Sequence, residues 1–169
     1  PLARLNTFSP HIRFREARER LGLSPDEVAK QSGVSGAEIW DIEAFENELT
    51  SCHSPRSVQF CRILRVQPVD LFGGVVSGPA ISPAELVQRI REECRSRQIT
   101  LEQFEDVVGW RLGESLEPDE KLLEDLSVDG LQWLCRELRI DWLRAYDHEG
   151  FQLTGGIFNC LRAAWGSDF

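Results

Sequence analysis

No apolar run in this chain approaches the roughly 18 residues that a membrane-spanning helix needs, and no signal-peptide pattern opens it. Methionine is absent and the chain begins at Pro1, which fits removal of an initiator methionine. The five cysteines are odd in number, with no Cys-x-x-Cys and no regular spacing. Such usage excludes a disulfide scaffold and points to reduced thiols in a cytoplasmic protein. Cys52-His53 is followed only by Cys61, so the two-to-four-residue spacing of metal ligands is missing and no metal site is expected. His11 and His148 stand near no nucleophile pattern, and Gly73-Gly74 and Gly155-Gly156 lack the strand and lysine of a phosphate loop. No catalytic residues, no cofactor and no enzymatic activity are therefore expected. Positive charge is also short. The net charge is −9 with a pI near 4.9, where a nucleic-acid binder normally carries a basic face. Most of the excess lies late: residues 1–75 hold nine Lys/Arg against ten Asp/Glu, and residues 76–169 hold ten against eighteen.

What is present is helix punctuation. Ser24-Pro25-Asp26-Glu27 is a capping box with proline at the first helical position, and Ser32-Gly33 ends that helix after about two turns. Ser35-Gly36-Ala37-Glu38 is a second box, opening a helix with Ile39 and Ile42 on one face. Two short helices joined by a turn containing glycine form a helix-turn-helix. Before them, Ser9-Pro10 opens a helix to about Leu21 with Phe14, Ala17 and Leu21 on one face, and Gly22 stops it. After them comes a polar loop, Glu46 to His53. Ser54-Pro55 then caps a helix through Val58, Cys61 and Leu64, and a short helix closes the unit between Val66 and Phe72.

The stretch from about Phe14 to Phe72 resembles the Xre/Cro/cI-type helix-turn-helix regulators. Phe14-Arg15, Arg18, Leu23-Ser24, Glu27-Val28-Ala29, Gly33-Val34-Ser35, Ile39 and Ile42-Glu43 carry the resemblance. It implies a five-helix unit in which Arg18 and Glu43 form an internal structural pair. It also implies where a base sequence would be read: from Pro25, from Gly36 with Ala37, and from Asp41, beside Trp40. Phosphates would fall to Arg13, Lys30 and Arg56. Arginine, lysine, asparagine and glutamine are the usual readers of base edges, and none stands at these places. Glu38 and Asp41 carry the wrong sign for phosphate.

A second pattern starts at Ser82-Pro83-Ala84-Glu85. Residues 76 positions apart agree: Arg13 with Arg89, Arg15 with Arg91, Glu16 with Glu92, Ser24 with Thr100, Gly33 with Gly109. Farther on, at an offset of 74, Cys61-Arg62 meets Cys135-Arg136, and Phe72 meets Tyr146. The expected organisation is all-α, with two tandem lambda-repressor-like helix-turn-helix units. The divisions are 1–74, a linker 75–81, a degenerate second unit 82–146 and a C-terminal segment 147–169. In the second unit Arg18 is replaced by Cys94, so the internal pair is lost, and Trp110, Trp133 and Trp142 appear. Leu153, Ile157, Leu161 and Trp165 share a spacing of four and suggest a last amphipathic helix. Two functions compete: a DNA-binding regulator, or the same fold reused as a protein-interaction module. In the second, Trp40, Phe45, Leu161 and Trp165 would face a protein partner or a second copy in a homodimer.

Overall fold

The computed structural model describes residues 9–113, 116, 122 and 126–146. The fold is all-α, and no strand occurs among the described residues. Helices α1 (Pro10–Arg20), α2 (Pro25–Ser32), α3 (Gly36–Ala44), α4 (Glu48–Ser51), α5 (Ser54–Leu64) and α6 (Pro68–Phe72) form the first run. A second run comprises α7 (Pro83–Arg97), α8 (Leu101–Val108) and α9 (Val128–Glu137), followed by a 3-10 turn at Trp142–Ala145. The expected final helix with Leu153, Ile157, Leu161 and Trp165 lies outside the described residues.

Helix starts follow the local chemistry with instructive exceptions. Ser24 Oγ accepts from the Glu27 N–H at 3.2 Å while the Glu27 carboxylate accepts from the Ser24 N–H at 2.6 Å. Thr100 and Gln103 repeat this full box at 3.2 and 2.9 Å. The boxes expected at Ser35 and Ser82 are only half formed. Each serine accepts from the glutamate N–H at 3.2 Å, but the exposed glutamate does not reach back. Water competes well for such a carboxylate, so the reciprocal bond contributes little. The cap of α5 is displaced too: His53, not Ser54, is the N-cap. The Ser54 hydroxyl and N–H both go to the Leu126 carbonyl, at 2.8 and 2.9 Å. The polar loop at Glu46 to His53 contains α4, folded over the fully buried Leu49.

Helix ends repeat between the two runs. Gly33 (φ 70°) and Gly109 (φ 78°) terminate α2 and α8 in the left-handed conformation, which a side chain would strain. The following N–H groups, of Val34 and Trp110, both bond five residues back at 3.2 Å. Arg65 (φ 53°) and Arg139 (φ 57°) end the α5 and α9 regions in the same left-handed conformation. Val66 N–H then bonds Cys61 at 3.0 Å, and Ile140 N–H bonds Cys135 at 2.9 Å.

Two apolar cores form. The first gathers Phe14, Val28, Ile39, Leu49 and Phe60, with the Phe14 and Phe60 rings edge-to-face at 5.1 Å. The second gathers Leu86, Ile90, Phe104, Leu131 and Leu134, and it also takes Val58 from α5 and Ile81 from the expected linker. Ile81 is wholly buried and its N–H bonds the Arg144 carbonyl at 2.6 Å, so the linker ends one residue earlier than its composition suggests. Trp110 and Trp142 pack against this core, whereas Trp133 stays half exposed with the Arg136 guanidinium 5.2 Å from its ring centre.

The runs meet at an antiparallel bridge between His53 and Ser127. Ser54 N–H bonds the Leu126 carbonyl and Val128 N–H bonds the Cys52 carbonyl, both at 2.9 Å. The bonds are reciprocal about the His53–Ser127 pair, whose members lie 74 positions apart, the offset at which the later part of the sequence repeats. Ser57 and Tyr146 hydroxyls share a buried bond of 2.7 Å nearby, and Phe72, Trp142 and Tyr146 form a chain of edge-on rings.

Candidate functional site

The outer face of α3 is positioned by what lies under it. Ile39, Ile42 and Glu43 point inwards. Arg18 of α1 grips the Glu43 carboxylate with two bonds, Nε to Oε1 at 2.5 Å and Nη2 to Oε2 at 2.9 Å. Its remaining nitrogen donates to the Leu23 carbonyl at 2.7 Å, and Arg15 donates to the Glu43 carbonyl at 2.6 Å. The hydrogen bond to Glu43 outweighs burial and raises the Arg18 pKa, so the guanidinium stays charged. At the other end Gly36 sits against Asp26 of α2, where an added Cβ would come within 2.7 Å of the Asp26 carboxylate. Arg15 and Arg18 thus fix the C-terminal end of α3, while Asp26 lies close beside Gly36 at its start.

Outside, Ala37, Trp40 and Ala44 fall at helical spacing on one exposed stripe. Trp40 is 61% exposed, and Phe45, where the chain leaves the helix in an extended conformation, is 58% exposed. Exposed carboxylates surround them: Glu38 and Asp41 on α3, Glu46 after it, and Glu48 on α4. Asp26 and Glu27 add two more at the start of α2. The bonds from Ser24 hold the Glu27 carboxyl below its ordinary pKa, so this charge persists in mild acid. Neither α3 nor α4 contains a lysine or arginine.

The residues nominated for base contact do not form one reading surface. Ala37, Trp40 and Asp41 are exposed together, but Pro25 and Gly36 are half-buried, Gly36 beneath Asp26. The three nominated phosphate contacts are scattered. Arg56 turns its guanidinium onto the Ser32 carbonyl at the end of α2 and onto Gln59 at 2.7 Å. Arg13 pairs with Glu16 at 3.3 Å and lines a groove between α1 and α6. Lys30 is exposed in the last turn of α2.

Several residues outside the nominated set shape this surface and its counterpart. Ala44, Glu46 and Glu48 complete the acidic, apolar patch; the four-residue step from Trp40 to Ala44 is the signal in the sequence. In the second run Glu105 stands 76 positions after Ala29. Its carboxylate accepts from the Leu112 and Gly113 N–H groups, each at 2.7 Å, and from Arg111 at 3.1 Å. Burial pushes its pKa up, but these bonds prevail and hold it below the ordinary carboxyl range. The thiols are inert by comparison: burial raises Cys52 and Cys135 to about 12, and Cys61 is raised as well. Compared with family models, curated proteins and solved structures, the chain matches none.

Proposed function

We propose that this chain is an Xre/Cro/cI-like helix-turn-helix protein, doubled within one polypeptide, whose first unit docks a protein partner through the outer face of α3. One observation carries the reading: Trp40 and Phe45 stand exposed among Glu38, Asp41, Glu46 and Glu48, with no cation on α3 or α4. Exposed aromatics anchor protein interfaces, and an acidic rim favours a partner with Lys or Arg around an apolar side chain. A second copy meeting this face with its own would bring like charges together, so the partner is a different, basic segment. The doubling is supported by the repeated helix ends and by the reciprocal bonds at His53 and Ser127. A cytoplasmic setting fits the irregular cysteine spacing and the four free thiols among the described residues.

A DNA-binding regulator is the second reading. It is favoured by the α2–turn–α3 geometry, in which left-handed Gly33 turns the chain and α3 keeps an exposed outer face. Against it, a regulator typically gathers about 6–10 phosphate contacts. Arg13, Lys30 and Arg56 do not converge on α3.

Fluorescence anisotropy separates the two. A labelled basic amphipathic helical peptide and a labelled random duplex are each titrated with the full chain at low salt. Docking predicts peptide binding that Trp40→Ala with Phe45→Ala weakens at least tenfold, and no duplex binding. Duplex binding that falls steeply with salt and is lost on replacing Lys30 would overturn the docking reading.

A further inference from the structure

Beyond the α3 face, three of the arginines of this acidic protein line one groove. Alpha-helix α1 turns Arg13, Glu16, Ala17 and Arg20 towards α6, and Arg65 closes the other side, around a polar groove of about 370 Å³. That volume suits a small ligand. Two carboxylates share the groove, and both are engaged. Glu16 pairs with Arg13, while Asp70 accepts from the Gln67 N–H at 2.8 Å and caps α6. Among the described residues, neither Arg20 nor Arg65 makes a side-chain hydrogen bond or ion pair that would neutralise it.

Arg65 occupies the left-handed region that closes α5, as Gln98 and Arg139 do at the other helix ends, and this places its side chain at the mouth of the groove. The planar guanidinium matches two oxygens of a phosphate or carboxylate at once, a geometry lysine cannot reproduce.

We propose that the groove between α1 and α6 binds a small oxyanion, held by Arg20 and Arg65 with Arg13 beside them. Phosphate esters and dicarboxylates share this chemistry. The site is separate from α3, so its fate does not depend on how α3 is used.

The test is calorimetric titration of the full chain with inorganic phosphate and, separately, succinate, with chloride adjusted to hold ionic strength constant. Saturable binding at or below about 10 mM is expected for at least one probe. Binding of phosphate alone assigns a phosphate-bearing ligand, and binding of succinate alone assigns a dicarboxylate. Arg20→Gln with Arg65→Gln should weaken binding at least tenfold, whereas Glu38→Gln with Asp41→Asn should leave it unchanged. Arg65→Gly separates fold from site: glycine suits the backbone, so the melting temperature should rise while anion binding falls. Failure of both probes to bind, or equal binding by the arginine variants, would overturn the proposal.

Discussion

Single residues show best where charge is committed inside the fold. The Arg18–Glu43 pair links α1 to α3, with both side chains almost wholly buried. Removing one partner strands the other charge away from water, so Glu43→Ala should destabilise the protein by about 3–5 kcal/mol. Urea unfolding followed by circular dichroism checks this; a loss below about 1 kcal/mol would mean the arginine finds another partner. Both residues were legible in the sequence because the resemblance names their places. Glu105 was not: its partners are chiefly backbone N–H groups seven and eight positions on, which no side-chain pattern announces. Its pKa is lowered on folding, so its contribution is present above the ordinary carboxyl range and is lost as pH falls through the folded value. Glu105→Gln should therefore lower stability most above about pH 5, with the gap from the parent narrowing on acidification. Melting temperatures of both proteins across acid pH test it, and a constant gap would contradict it.

Among elements, local signals mark where most helices start, while features set by distant contacts are not legible in the sequence. Ser24 and Thr100 sit three residues before a glutamate and a glutamine, and both full boxes form. The start of α5 differs from the sequence expectation because the Ser54 partner is the Leu126 carbonyl, 72 residues away. Helix α4 is a single turn with one buried residue, too short to show a period. The end of α5 yields a prediction at this scale. Arg65→Gly relieves a left-handed side chain at the cost of extra freedom in the unfolded chain, leaving a gain of about 0.5–1 kcal/mol. Arg139→Gly, at the matching end of α9, should behave alike in thermal unfolding. Destabilisation in both would show that the arginine side chains hold these ends.

For the molecule as a whole, two apolar cores form, and how they join is not legible in the sequence. The junction depends on main-chain groups of Cys52, Ser54, Leu126 and Val128, to which a residue pattern is blind. It also depends on the buried Ser57–Tyr146 bond. Burial raises the Tyr146 pKa well above its ordinary value, so the phenol stays protonated and able to share that bond. Tyr146→Phe and Ser57→Ala should each cost about 1 kcal/mol, and the double variant should cost less than their sum. Strict additivity in denaturant unfolding would deny the two hydroxyls a direct coupling.

The candidate interaction face is a property of the same whole. The sequence named Trp40, Phe45 and Asp41, while their exposure together and the diversion of Arg56 into the fold emerged from the packing. The most direct measurement is the anisotropy titration of the basic amphipathic peptide against the parent chain and against Trp40→Ala with Phe45→Ala. Docking through α3 predicts binding to the parent and at least a tenfold loss in the variant, about 1.4 kcal/mol or more. Equal affinity in both proteins would contradict it, because attraction to net negative charge alone would then explain the binding.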